Sequence, residues 1–284
     1  MSDSSRQTGG LNEAASIPSL LLIGCGRMGG ALLRGWLERG LADRYVVVEP
    51  VAAARPDAAS PHVTLVASAD QLPMAFQPTI AVIAVKPQIM AEALPRYRAI
   101  AGAGTLFLSI AAGKNLAFLA RQLGSETALV RAMPNTPAAI GHGISVACPN
   151  HKVDAKGRIR TDALLAAVGE VAWIEDESLM DAVTAVSGSG PAYVFLLIEC
   201  LTRAGIEVGL PAALAERLAR ATVAGSGELA RVSSEAAAAL REAVTSPGGT
   251  TRAALDVLMA SDGLEPLLRR AVLAAAKRSR ELAD

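Results

Sequence analysis

Two glycine-rich stretches hold the residue types in this 284-residue chain best suited to chemistry. The first is Gly24-Cys25-Gly26-Arg27-Met28-Gly29, a G-x-G-x-x-G hexamer between an apolar run and a helix-like segment. Only that context gives such a hexamer meaning. There, Gly24 allows a tight turn, Gly26 lets backbone approach a pyrophosphate, and Gly29 permits close packing of helix on strand. The helix start, with Arg27 and Met28, supplies N–H groups without partners and a partial positive charge. The pattern predicts a dinucleotide site, and the competing reading is a plain strand–turn–helix. The second stretch is V-T-S-P-G-G-T-T, residues 244–251. Two glycines, a proline and four hydroxyl residues in eight positions cannot continue a helix. By itself it is a turn between helices.

Further candidates sit where strands are expected to end. Glu49 closes the second apolar run, where a carboxylate can accept hydrogen bonds from an adenosine ribose and would repel a 2′-phosphate. The alternative is a solvated strand-end carboxylate, and the next basic residue is Arg55. Ala84-Val85-Lys86-Pro87-Gln88 leaves an expected central strand, and ligands of open α/β sheets bind at such carboxyl ends. Pro87 biases Lys86 towards extended geometry, which puts this backbone beside the cofactor and Lys86 near phosphate, ribose or substrate carboxylate. An exposed lysine at an ordinary strand exit fits equally. In S-I-A-A-G (109–113), Ala111 and Ala112 are small enough for a nicotinamide to lie against the sheet. In R-A-M-P-N-T-P (131–137), Asn135 either bonds a ligand or closes the Pro-rich turn, the second being the simpler account.

The surrounding elements are those needed to place these groups. Apolar runs at 20–23, 45–49, 62–66, 79–85, 105–110 and 128–133 lack alternation, as strands buried on both faces do. Between several of them lie helix-like segments such as 27–40, stopped by Gly40. The alternation predicts a doubly wound, mostly parallel sheet of Rossmann type. Runs at 143–148 and 171–175 extend it around a helix at 154–168. From about residue 176 strand-like runs disappear, and helices are expected at 177–204, 211–230, 234–244, 250–260 and 264–283. The expected organisation is a disordered tail (1–18), a dinucleotide-binding domain (19–175) and an all-α domain (176–284). Gly188, Gly190 and Pro191 should weaken or kink the first of those helices.

Composition narrows the function. Lys plus Arg equals Asp plus Glu, 27 each, which argues against nucleic-acid and anionic-membrane partners. Half the residues are hydrophobic but only 3% aromatic, so the core is aliphatic. The three cysteines (25, 148, 200) and three histidines (62, 142, 151) have no metal-ligand spacing. Sparse cysteine suits a reducing cytosol, no signal-peptide pattern is present, and no uninterrupted apolar run reaches the ~18 residues of a membrane span. A cytoplasmic protein is expected.

Taken together, G-C-G-R-M-G-G-A-L-L-R-G, A-V-K-P-Q, R-A-M-P-N-T-P-A, D-A-V-T-A-V-S-G-S-G-P-A-Y and V-T-S-P-G-G-T-T resemble, in order and spacing, the pyrroline-5-carboxylate reductases. The resemblance runs from Leu20 to the C-terminus, and the pair S-G-S-G-P-A-Y (187–193) and V-T-S-P-G-G-T-T is its most restrictive part. It implies reduction of 1-pyrroline-5-carboxylate to L-proline by NADPH or NADH, without a metal. It also implies a helical dimerisation domain, decamers built from dimers, and active sites formed between subunits. By the same match, Ser246 and the amides of Gly248, Gly249 and Thr250 would grip the substrate carboxylate. Thr251 would hydrogen-bond the ring nitrogen, and Ser187 and Ser189 would lie beside the pocket, the alternative for these two serines being a purely packing role. Two departures stand out. Ala69-Asp70 occupies the place where the family often has an asparagine near the adenosine. Residues 49–55, E-P-V-A-A-A-R, lack the Ser, Thr or Arg chemistry of many NADPH-preferring members.

Three other readings compete. One is a reductase of a related cyclic imine acid. Another is a non-catalytic dinucleotide-binding scaffold, against which the intact S-P-G-G-T-T loop argues. The third is a β-hydroxyacid dehydrogenase, which would need a lysine in the helical domain. Residues 176–270 contain none.

Overall fold

The fold is taken from a computed structural model, which describes residues 16–51 and 60–283. Most of the expected N-terminal tail, and Arg55, lie outside the described residues. The first strand already begins inside the expected tail. β1 is Ile17–Ile23, followed by α1 (Arg27–Arg39), β2 (Ala42–Val48), β3 (Val63–Val66) and β4 (Ile80–Ile83). Short helical turns occupy 87–102. Then come β5 (Leu106–Ser109), α2 (Leu116–Leu123), β6 (Leu129–Met133), β7 (Gly143–Pro149), α3 (Ala155–Ala166) and β8 (Gly169–Trp173).

These strands form one sheet in the order β3-β2-β1-β4-β5-β6-β7-β8. Neighbours are parallel except β6 and β7, whose antiparallel pairing reverses the last two strands. The first six follow the doubly wound order, which opens a crevice where the winding reverses beside β1 and β4. Both faces of the inner strands are covered, which is why these read as apolar runs, whereas the edge strands β3 and β8 are only half-buried. Leu20 and Leu22 face a layer holding Leu32, Leu33 and Trp36 of α1 and Leu164 and Leu165 of α3. Leu21 and Ile23 face the opposite layer, with Met90, Leu94 and Tyr97 and with Leu119 and Leu123 of α2. Each such side chain, withdrawn fully from water, contributes roughly 1.5–3 kcal/mol. Gly40 ends α1 in the left-handed region (φ 60°), as its sequence position predicted.

The helical part departs from expectation at its first element. A continuous helix over 177–204 is expected, but the chain makes a 3-10 turn (Glu177–Leu179), α4 (Met180–Val183), and a π-helical turn (Thr184–Gly188) before α5 (Gly190–Glu207). At Gly188 an added Cβ would press on Met133 Cε, the far end of a flexible side chain from β6. The π turn absorbs the extra residue, a common device where a helix must shift phase. The remaining helices are α6 (Ala212–Val232), α7 (Ala237–Ala243), α8 (Thr250–Leu258) and α9 (Leu264–Ala283).

By contacts the chain separates into two compact units. One runs to Gly188 and takes back Lys277 onward, and the other is Ser189–Ala276. Glu177–Glu207 has the length and, over its most apolar window, the mean hydropathy (1.3) of a membrane span. The π turn interrupts that stretch, however, and Glu199 and Arg203 pair on it at 3.8 Å.

Candidate active site

The first turn is built as the three-glycine logic requires. Gly24 has φ +89°, and a Cβ there would lie 2.8 Å from Val85 Cγ1 and 3.0 Å from the Ala84 backbone. A Cβ on Gly29 would lie 2.6 Å from the Gly24 carbonyl oxygen, so only glycine lets α1 start this close to β1. Gly26, between them, is exposed and meets nothing within 4 Å. The result is a cradle closed below and behind and open where a pyrophosphate would rest. These residues fit a dinucleotide.

Ala84 and Val85 are half-buried beneath the cradle, while Lys86 is exposed and precedes Pro87 in extended conformation. Arg27 is exposed and Met28 half-buried. Of the alanines beyond β5, Ala111 is 7% exposed and packs in the core, whereas Ala112 is open to solvent.

Glu49 is not a solvated carboxylate. It is 7% exposed, and its oxygens accept the Cys25 N–H at 2.7 Å and the Val51 N–H at 2.9 Å. A strand-end acid thus holds the glycine turn itself. Burial, and then the neighbouring Glu49 carboxylate, raise the Cys25 thiol above the ordinary cysteine range.

Asn135 closes its connection, but not by capping the 3-10 turn that follows. Its Oδ1 accepts the Ile144 N–H at 2.9 Å, and its Nδ2 donates to Ser187 Oγ at 3.4 Å. The loop after β6 is thereby tied to both β7 and the π turn. A second tie involves residues with no sequence signal. Glu177 Oε1 accepts from Arg131 Nη1 at 2.9 Å and from the Leu116 N–H at 2.8 Å. These partners stand 46 and 61 residues away, so only folding reveals them. Arg131 is 5% exposed, and its charge in the middle of β6 needs this partner.

In the second unit, V-T-S-P-G-G-T-T forms a tight turn feeding α8. The Gly249 N–H donates to the Ser246 carbonyl at 3.1 Å, with Pro247 and Gly248 (φ +69°) at the central positions. This is the type II pattern, which requires glycine where φ is positive. The geometry amends one expectation, because the Gly249 amide is already used within the turn. The amides of Gly248, Thr250 and Thr251 are not, since the first intrahelical bond runs from Ala253 to the Gly249 carbonyl. A cavity of about 300 Å³ is lined by Thr245, Ser246, Pro247, Gly248 and Arg252. Thr250 and Thr251 stand just beyond that lining, Thr251 half-buried. Arg252 was missed from sequence, although its place directly after the motif is a usable signal. Its Nε donates to Asp256 Oδ1 at 2.8 Å. Ser189 precedes α5 without a side-chain capping bond. Among the described residues no group of three His, Cys, Asp or Glu side chains is placed to hold a metal ion.

Comparison with known proteins gives consistent matches. Residues 177–282 match the family profile described as pyrroline-5-carboxylate reductase dimerisation. Residues 19–113 match that described as NADP oxidoreductase, coenzyme F420-dependent. The chain is 39% identical over 270 residues to a pyrroline-5-carboxylate reductase of Pseudomonas aeruginosa, covering 95% of this chain and 98% of that one. It is 36% identical to one from Pisum sativum, covering 93% and 96%. Among solved structures, the pyrroline-5-carboxylate reductase of Coxiella burnetii superposes with a TM-score of 0.84 at 30% identity, covering 93% of this chain and 98% of that one. The Plasmodium falciparum enzyme with NADP bound gives 0.78 at 30% identity, covering 94% and 98%.

Proposed function

The chain belongs to the pyrroline-5-carboxylate reductase family, and from that premise we propose how its own residues reduce 1-pyrroline-5-carboxylate to L-proline. The observation that carries the proposal is a pair of anion-binding turns: the open glycine cradle at 24–29 and the S-P-G-G-T-T turn at the start of α8. A reduced nicotinamide dinucleotide, when bound, supplies the hydride that converts the C=N bond to C–N.

Gly24, Gly26 and Gly29, with the N–H groups that begin α1, hold the pyrophosphate. The strand-end segment 84–87 and loop 109–113 flank the path towards the nicotinamide, with Ala112 as the exposed small residue there. In the second unit, Ser246 Oγ and the N–H groups of Gly248, Thr250 and Thr251 receive the substrate carboxylate. Arg252, ion-paired with Asp256, forms part of the cavity wall. Thr251 Oγ1 orients the ring nitrogen, and Ser187 and Ser189 border the same substrate. The protonated imine is already electrophilic, so position and electrostatics carry the catalysis rather than a strong acid. Changing Thr251 to Val should cut turnover about tenfold, the worth of one oriented hydrogen bond of ~1.4 kcal/mol. The dinucleotide KM should stay within about twofold, since only substrate orientation is touched. Unchanged turnover would remove Thr251 from this role.

For the cofactor, the buried Glu49 carboxylate supports tolerance of NADH, because a 2′-phosphate placed over it is repelled. The apolar, uncovered helices of the second unit support self-association as dimers, and assembly of dimers into a decamer rests on the family resemblance alone. They also account for the span-like stretch 177–207 as an interface rather than a membrane segment. The balanced charge and three free cysteines suit a cytoplasmic enzyme.

The deciding experiment follows NADH and NADPH oxidation by the purified protein, with and without 1-pyrroline-5-carboxylate. Substrate-dependent oxidation is expected, and the ratio of the two kcat/KM values reads the Glu49 effect. Oxidation with a six-membered imine acid alone would move the substrate to that homologue, and no oxidation at all would leave a binding scaffold.

A further inference from the structure

We propose that the last two turns of α9 position loop 109–113, the loop assigned above to the nicotinamide, with Ser279 as the positioning residue. The proposal rests on the dinucleotide site described above and adds to it a control point distant in sequence. Although most of α9 belongs to the second unit, residues from Lys277 onward group with the sheet unit. Two contacts explain why. Ser279, 6% exposed, donates from Oγ to Asp181 Oδ1 of α4 at 2.6 Å. One helical turn later, the Leu282 carbonyl oxygen backs onto Gly113, where a Cβ would stand 3.2 Å from it. Gly113 is buried with φ +75°, so the loop turns back at the point where α9 supports it.

Loop 109–113 is then held from three sides. Within it, Ser109 Oγ accepts the Ala111 N–H at 3.4 Å. Just after it, the Leu116 N–H is fixed by Glu177 at 2.8 Å. The third hold is the α9 end, latched by Ser279. Residues three apart on a helix share a face, so the Ser279–Asp181 bond sets how Leu282 meets Gly113. Removing the hydroxyl leaves the sheet core intact and loosens only this support. Because Ala112 is the exposed residue of the loop, the loosening should appear first in dinucleotide affinity.

The test compares wild type with Ser279→Ala, Asp181→Ala and Asp181→Asn. Dinucleotide dissociation constants are read from nicotinamide fluorescence, alongside KM for the imine acid and melting temperature. Ser279→Ala and Asp181→Ala should each weaken dinucleotide binding about fivefold, the effect of one lost hydrogen bond. The KM for the imine acid and the melting temperature should stay near wild type. Asp181→Asn keeps an acceptor oxygen and should bind as wild type does. Unchanged affinity in both alanine variants overturns the proposal. So does a parallel loss of dinucleotide affinity, imine KM and thermal stability, which marks a merely structural role. A wild type that binds dinucleotide without reducing the imine would refute the proposed reaction but not this latch.

Discussion

The sheet unit and the helical unit use the same aliphatic alphabet to opposite ends. In β1, Leu20, Leu21 and Leu22 are each 0% exposed, sealed by helices on both faces. In α5, Phe195, Leu196 and Leu197 are 58%, 53% and 46% exposed, and no residue of that helix is buried. Beyond α5 the contrast continues: within α6 only Ala215 and Ala219 are buried. The sheet unit therefore completes its core inside one chain, and the helical unit does not. An apolar area of that kind marks a surface meant to be covered, in agreement with the dimerisation profile matched by residues 177–282. The lesson is that hydrophobic content alone does not say whether a core is intramolecular.

The comparison breaks most sharply at Glu177. Its replacement by Ala strands the Arg131 guanidinium, whose side chain is 6% exposed, without its carboxylate. Because the Glu177 side chain is 27% exposed, the loss should fall below that of a fully buried pair, about 2–3 kcal/mol, and urea unfolding followed by circular dichroism should show the sheet unit destabilised. A change under about 1 kcal/mol would mean that Arg131 finds water or another acceptor. A smaller effect is expected from Phe195→Asp on α5. It should weaken self-association by about 2 kcal/mol, roughly thirtyfold, lowering the mass seen in sedimentation while dinucleotide binding persists. An unchanged mass would place the covered face elsewhere on the helical unit. The smallest effect belongs to Thr161 in α3, fully buried with its hydroxyl unpaired. Thr161→Val keeps the shape and removes the orphan, so stability should rise by up to about 1 kcal/mol. A loss of stability would reveal an ordered water partner at that hydroxyl.

Legibility from sequence differed residue by residue. The places of Gly24 and Gly29 were readable because each depends on the absence of a Cβ next to neighbours close in sequence or in the adjoining strand, whereas nothing stands within 4 Å of Gly26. The inner strands were visible as apolar runs, since burial on both faces removes alternation, while the edge strands β3 and β8 are only half-buried. Glu49 was located correctly, but its state was not: whether a strand-end acid is solvated depends on the orientation of the Cys25 and Val51 amides. Asn135 was legible as a closing residue, while its bond to Ser187 was not. The π turn was foreseen only as a weakening, because Gly188, Gly190 and Pro191 mark a weak helix without saying which hydrogen-bond register replaces it.

What the sequence by itself determined was the order of elements, the doubly wound sheet, the family, and the two turns suited to anions. Those features follow from local periodicity and from glycine at positions that tolerate nothing larger. Tertiary structure alone decided which charges are buried and paired, as with Arg131 and Glu177, and that Gly249 spends its amide within its own turn. It also decided that the end of α9 returns to Asp181 and Gly113. Such contacts join residues tens of positions apart. Their energies depend on distance and solvent exclusion, neither of which a linear pattern encodes.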